Sequence, residues 1–132
     1  MRPTFALLVL LTAATVTGCE TLGSGSRESD EQDLRQRREQ IQLLLSSAAC
    51  SGSAECRYTA FGSKPCGGPW EYLVYPATMD TVRFLAMVKA YNEREDAYNR
   101  TWGMMSDCMA VVPPDSVACI DGRCRAVAKP LP

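Results

Sequence analysis

The chain has 132 residues, 14 basic and 15 acidic side chains, no histidine and a formal net charge of −1. There is no basic excess to hold nucleic acid or an anionic membrane surface by charge. The missing imidazole removes the commonest general base and metal ligand.

Residues 1–18 read as a secretion signal. Arg2 is the single charge, residues 5–11 (Phe-Ala-Leu-Leu-Val-Leu-Leu) are apolar throughout, and residues 12–14 stay uncharged. That is the length of a signal core, well short of the roughly 18–20 apolar residues that span a bilayer. Val16-Thr17-Gly18-Cys19 follows. These four residues resemble the lipobox of bacterial lipoproteins: an aliphatic residue, two small ones, then the cysteine that becomes the new N-terminus. The resemblance implies cleavage before Cys19, a thioether-linked diacylglycerol on its thiol and acylation of the new amine. Two or more chains make a stable anchor where one is marginal. The lipid on Cys19 is the only prosthetic group expected, and the bilayer is the first expected partner. Enterobacterial lipoproteins with Asp after the cysteine tend to stay in the inner membrane. By that resemblance Glu20 favours the outer membrane, facing the periplasm. Removal of residues 1–18 takes away one basic side chain and leaves a charge near −2.

Residues 19–29 are polar and rich in Gly and Ser, and read as a tether. Residues 20–29 would have a root-mean-square span of about 17–19 Å. Ser29-Asp-Glu-Gln32 matches a capping box and predicts a helix over 30–49. Its first half is charged (Asp33, Arg35, Arg37, Arg38, Glu39) and its second half apolar (Ile41, Leu43, Leu44, Leu45), so only the second half is expected to dock well.

Residues 57–61 form a short strand candidate. Residues 62–69 hold too much Gly and Pro for regular structure. Residues 70–75 (Trp-Glu-Tyr-Leu-Val-Tyr) form a stronger strand candidate, ended by Pro76. Asp80 can cap a long helix over 81–102, with Gly103 as its stop. Phe84, Val88, Tyr91, Tyr98 and Trp102 recur at helical spacing, as core packing requires; Glu95 interrupts the stripe. Residues 107–112 are a third strand candidate, stopped by Pro113-Pro114. Asp121-Gly122 is a favoured two-residue hairpin turn between strands at 117–119 and 124–127. The expected fold is α+β: a small disulfide-stapled domain with an antiparallel sheet of four or five short strands and two helices. It would occupy residues 30–132, with the cysteines in 50–132.

Seven cysteines become six when Cys19 is set aside for lipid: Cys50, Cys56, Cys66, Cys108, Cys119 and Cys124. An even count in an exported chain reads as three bridges. No Cys-x-x-Cys pair and no histidine point to a metal site, and none is expected. Six cysteines permit fifteen pairings. A Cys119–Cys124 bridge across the predicted hairpin is within reach, and both cysteines could instead join the N-terminal cluster.

Catalytic motifs are missing. No Gly-x-Ser-x-Gly or Ser-x-x-Lys is present, and Glu71, Asp80 and Asp107 sit at predicted element ends with nothing to make them converge. No enzyme is expected. Recognition is better served. A loop with Lys64, Pro65, Gly67, Gly68 and Pro69, held by Cys66 and bordered by Trp70 and Tyr72, is rigid and aromatic, as binding hot spots are. The same aromatics would equally complete a small core. From Cys50 to Val127, the Cys-Gly-Gly-Pro-Trp stretch and the cysteine spacing resemble a group of small cysteine-containing bacterial lipoproteins of unknown function. That resemblance implies compartment and domain extent but no mechanism. The expected role is a non-catalytic envelope domain for binding or support, with an envelope protein as a further partner. The alternative is a periplasmic inhibitor of a protease or lysozyme that presents residues 66–69.

Overall fold

The computed structural model describes residues 25–128. The predicted signal, the lipobox at 16–19 and residues 19–24 of the predicted tether lie outside them. Helix α1 spans Arg27–Ser47, strand β1 Cys56–Phe61, strand β2 Glu71–Pro76, helix α2 Thr81–Trp102, strand β3 Ser116–Ile120 and strand β4 Arg123–Val127. A 3₁₀ turn, Ser53–Glu55, leads into β1. The domain is thus α+β and disulfide-stapled.

The two helices differ in how well their ends were anticipated. Helix α2 starts after Asp80, whose carboxylate accepts the Arg83 N–H, and stops at Gly103, which takes a left-handed conformation. Helix α1 begins ahead of its predicted start. Its cap is Ser26, whose hydroxyl accepts the Ser29 N–H at 3.2 Å, while the Ser29 hydroxyl returns a bond to the Ser26 carbonyl. Residues 27–29, placed in the tether by sequence, are therefore helical. The earlier start adds Arg27 to the helix, and its guanidinium donates to the Tyr98 hydroxyl of α2 at 3.1 Å.

The strands pair as two antiparallel hairpins rather than as one sheet. In the first, Cys56 faces Pro76 and Phe61 faces Glu71. In the second, Ser116 faces Val127 and Ile120 faces Arg123. Asp121 and Gly122 both have positive φ, as the favoured two-residue turn demands. β4 lies against β2, and β3 against β1 and the 3₁₀ turn. Residues 107–112, the third strand candidate, pair with nothing among the described residues.

One core joins the helices to the first hairpin. Ile41 and Leu34 of α1, Phe61 of β1, Tyr75 of β2, and Phe84, Val88, Tyr91 and Tyr98 of α2 are buried together. Phe61 stacks on Tyr91 at 4.5 Å, and Tyr75 meets Phe84 at 4.9 Å.

The charged half of α1 docks as well, contrary to the sequence expectation. Asp30 and Asp33 both bind the Arg94 guanidinium, at 2.5 and 2.9 Å. The second oxygen of Asp30 accepts the Trp102 indole N–H at 3.0 Å. Glu31 accepts the Tyr98 hydroxyl at 2.7 Å and pairs with Arg27. Periodicity shows only the apolar face of a helix. Here the acidic face meets Arg94, Tyr98 and Trp102 of α2, which lie 61 to 72 residues away.

Three bridges close the domain: Cys50–Cys119, Cys56–Cys124 and Cys66–Cys108. Cys119 and Cys124 are register partners in the second hairpin, as the predicted turn implies. Each nonetheless bonds outward, to the segment before the first hairpin and to its first residue.

Candidate functional site

The site is built on the connection between β1 and β2. Helix α2 presents Asn92, Glu95 and Asn99 at helical spacing, and these side chains satisfy the backbone of that connection. Asn92 accepts the Gly62 N–H at 2.7 Å and donates to the Ala60 carbonyl at 3.2 Å. Glu95 accepts the Ser63 N–H at 2.5 Å, and Asn99 donates to the Ser63 carbonyl at 2.7 Å. The other Glu95 oxygen accepts the Tyr91 hydroxyl at 3.1 Å. Burial raises the Tyr91 hydroxyl pKa above its ordinary value, and Arg38 opposes that shift. Glu95 interrupts the apolar stripe of α2 because a buried loop backbone must have partners.

Gly62 is buried with φ +83°, and a Cβ there would stand 2.6 Å from Trp70 Cδ1. The close approach keeps Trp70 over the start of the loop, where its N–H bonds the Phe61 carbonyl at 3.0 Å. Beyond Ser63 the loop closes on itself. The Lys64 N–H donates to the Gly68 carbonyl and the Gly67 N–H to the Lys64 carbonyl, both at 2.8 Å. Gly67 and Gly68 are exposed at the tip; Pro65 and Pro69 are half-buried.

Lys64 has its side chain inside, with the residue only 7% exposed. Its ammonium donates to Asp107 at 2.7 Å and to the Met109 carbonyl at 2.8 Å, and lies 5.1 Å from the centre of the Trp70 ring. Lys64, with the Met109 N–H, holds the Asp107 carboxyl below the usual carboxylate range. Cys66–Cys108 adds a covalent tie a few residues away. Two segments, 62–70 and 104–114, are thereby fastened into one ledge. The second runs without turn or bend from Met104 to Pro114.

Beside the ledge lies a cleft of about 460 Å³ between Leu34 and Arg38 of α1, Tyr98 of α2, and Trp70, Glu71 and Met104. The Arg38 guanidinium sits 4.9 Å over the Phe61 ring and pairs with Glu71 at 3.3 Å. Trp70, 39% exposed, is shared by cleft and ledge.

Of the residues singled out from sequence, Trp70 and the Gly67-Gly68 tip are exposed. Lys64 serves as an internal brace. Tyr72 is half-buried on β2 with its ring edge-on to Tyr58 at 5.7 Å. Glu71, Asp80 and Asp107 occupy three separate settings: a salt bridge to Arg38, the cap of α2 and the clasp on Lys64. The sulfurs of Cys50, Cys56 and Cys124 lie within 4.8 Å of one another. They belong to two bridges, however, and a metal takes thiolates.

Sequence reasoning passed over the display on the second segment. Met105, Met109 and Val112 are 92%, 75% and 81% exposed. The signal was present: an apolar run next to Cys108, ended by two prolines, that reads as a strand but finds no partner. Among the described residues no helix is long and apolar enough to cross a membrane. No family model, curated protein or solved structure matches this chain.

Proposed function

We propose that the chain is an exported, lipid-anchored lipoprotein of the bacterial cell envelope whose domain binds a partner and does not catalyse a reaction. The observation that carries the anchor is a partition of cysteines. The three bridges use six of the seven, and the seventh is Cys19, at the end of a signal-like leader. Lipid on Cys19 supplies the membrane attachment, and Glu20 favours the outer membrane. Neither nucleic acid nor metal enters this reading. The binding role rests on the ledge, which is rigid, braced from within and partly apolar; rigid surfaces lose less entropy on association.

Cys19→Ala is expected to abolish labelling by an alkyne fatty acid and partitioning into a detergent phase. Labelling that persists would overturn the anchor.

A second reading, inhibition of an envelope protease or lysozyme, is favoured by one observation. The loop at 66–69 is closed by its own hydrogen bonds and tied at Cys66, so it is held in shape before any encounter. Nanomolar to micromolar inhibition across a protease and lysozyme panel is its expected outcome, and no inhibition at about 10 µM would remove it.

A further inference from the structure

We infer that Cys50, Cys56, Cys119 and Cys124 form a thiol–disulfide exchange centre. An external thiolate converts its two bridges to Cys50–Cys56 and Cys119–Cys124, and this releases the second hairpin from the rest of the domain. Cys19 takes no part, so the exchange is independent of the lipid anchor.

The two bridges are neighbours. The sulfurs of Cys50, Cys56 and Cys124 lie within 4.8 Å of one another, although they belong to different bridges. On the other side of the cluster, Cys119 and Cys124 are register partners. Ile120 and Arg123 flank the Asp121-Gly122 turn, so the next pair out is a non-hydrogen-bonded one, with Cα atoms about 4.5 Å apart. The Cys119 N–H accordingly points away from β4, to the Ser53 hydroxyl at 3.1 Å. Such a spacing is within disulfide range. Each of the four cysteines thus has a second partner in reach besides the one it bonds.

Accessibility sets where exchange starts. Cys50 and Cys56 are buried, whereas Cys119 and Cys124 are half-buried. A thiolate arriving at the Cys119 sulfur forms a mixed disulfide there and expels the Cys50 thiolate. Cys50 attacks the Cys56 sulfur, forms Cys50–Cys56 and expels the Cys124 thiolate. Cys124 attacks the Cys119 sulfur, closes Cys119–Cys124 and returns the external thiolate. Entry at Cys124 converges on the same product: Cys56 is expelled, attacks Cys50 and expels Cys119, which closes on Cys124. Every step makes one S–S bond and breaks one, as thiol–disulfide exchange does. No oxidant or reductant is consumed. The co-reactant is a thiol, small or carried by a protein, and it acts as a catalyst.

The product differs in what holds the second hairpin. That hairpin has no fully buried residue. Without its two ties it is left with partly exposed contacts and with hydrogen bonds such as the Cys50 N–H on the Gly122 carbonyl and Arg123 on the Ser46 carbonyl. Cys119–Cys124 staples the freed hairpin to itself, and Cys66–Cys108 still anchors the chain that leads to it.

The full chain in detergent is first alkylated without reductant, which blocks any Cys19 that lacks lipid. It is then treated with 2-mercaptoethanol, quenched with acid and N-ethylmaleimide, and digested with trypsin without reduction. Residues 39–57 carry Cys50 and Cys56 on one tryptic fragment, and Cys119 and Cys124 fall on others. The starting pairing keeps this fragment bonded to them. Its release with an internal bridge is expected, together with faster amide exchange in β3 and β4 and none in β1 and β2. A fragment that stays bonded, or one released with both thiols alkylated, would overturn the inference, the second outcome being plain reduction. An internally bridged fragment with unchanged amide exchange in β3 and β4 would overturn the release of the hairpin. Cys119→Ser needs no added thiol, because it leaves Cys50 without its partner. In that variant Cys124 is expected to be the cysteine that N-ethylmaleimide labels, with Cys50 bonded to Cys56. Labelling at Cys50 or Cys56 instead would overturn the exchange.

Discussion

The two hairpins are nearly the same size, six residue pairs in β1–β2 and five in β3–β4, but they stay folded for different reasons. The first sends Phe61 and Tyr75 into the common core, where Phe61 is 1% exposed. The second has no fully buried residue at all. It is fastened by Cys50–Cys119 and Cys56–Cys124, by the Cys50 N–H on the Gly122 carbonyl, by the Cys119 N–H on the Ser53 hydroxyl, and by Arg123 on the Ser46 carbonyl. An isolated two-stranded hairpin is marginal in water. In this domain one hairpin is completed by burial, the other by covalent bonds. The disulfides therefore stand where a small core runs out.

Cutting into the burial side should have the largest effect. Phe61→Ala empties the space beside the Tyr91 ring and under the Arg38 guanidinium and should cost about 3–5 kcal/mol in denaturant unfolding. The loss should be global, because Phe61 ties β1 to both helices. A cost below about 1 kcal/mol would mean that the first hairpin, too, is held mainly by its bridges.

Removing one covalent tie should cost less and stay local. Cys56 and Cys124 are 68 residues apart, but with Cys50–Cys119 intact the closed ring is only about eleven residues, which limits the loss to about 2–3 kcal/mol. In Cys56→Ser/Cys124→Ser, amides of β3 and β4 should exchange much faster with deuterium while those of β1 and β2 remain protected. Equal acceleration in both hairpins would refute the division of labour.

What was legible in the sequence follows the same division. Some local signals held and one did not: Asp80 and Gly103 bracket α2 and Asp121-Gly122 makes the second turn, but the capping box at Ser29 lost to a cap at Ser26. Non-local choices were not legible. Nothing near Cys119 says that it bonds Cys50 rather than its register partner Cys124. Nothing near residues 107–112 says that a run with strand composition lacks a strand to pair with. The role of Lys64 was hidden for the same reason, since its partners Asp107 and Met109 are more than forty residues away. Glu95 looked like a flaw in a core stripe because the loop backbone it satisfies is about thirty residues upstream.

Helix α1 adds a third kind of attachment, by charge, and pH should expose it with the smallest effect of the three. The Trp102 indole N–H and then Arg94 hold the Asp30 carboxyl below its ordinary value, and the Tyr98 hydroxyl and then Arg27 do the same for Glu31. A folded pKa below the unfolded one contributes stability that is present above the unfolded value and lost as pH falls through the folded one. Acidification below about pH 4 should therefore loosen the first turns of α1 while the disulfide-held second hairpin is unaffected. Amide exchange should quicken over residues 27–35 before it changes in β3 and β4. Asp30→Asn keeps an oxygen for the Trp102 indole but gives up the ion pair with Arg94, so it should lower stability at neutral pH and flatten the acid response of α1. An acid response of equal size in α1 and the second hairpin, or one unchanged in Asp30→Asn, would show that charge is not what holds the N-terminal half of α1 to α2.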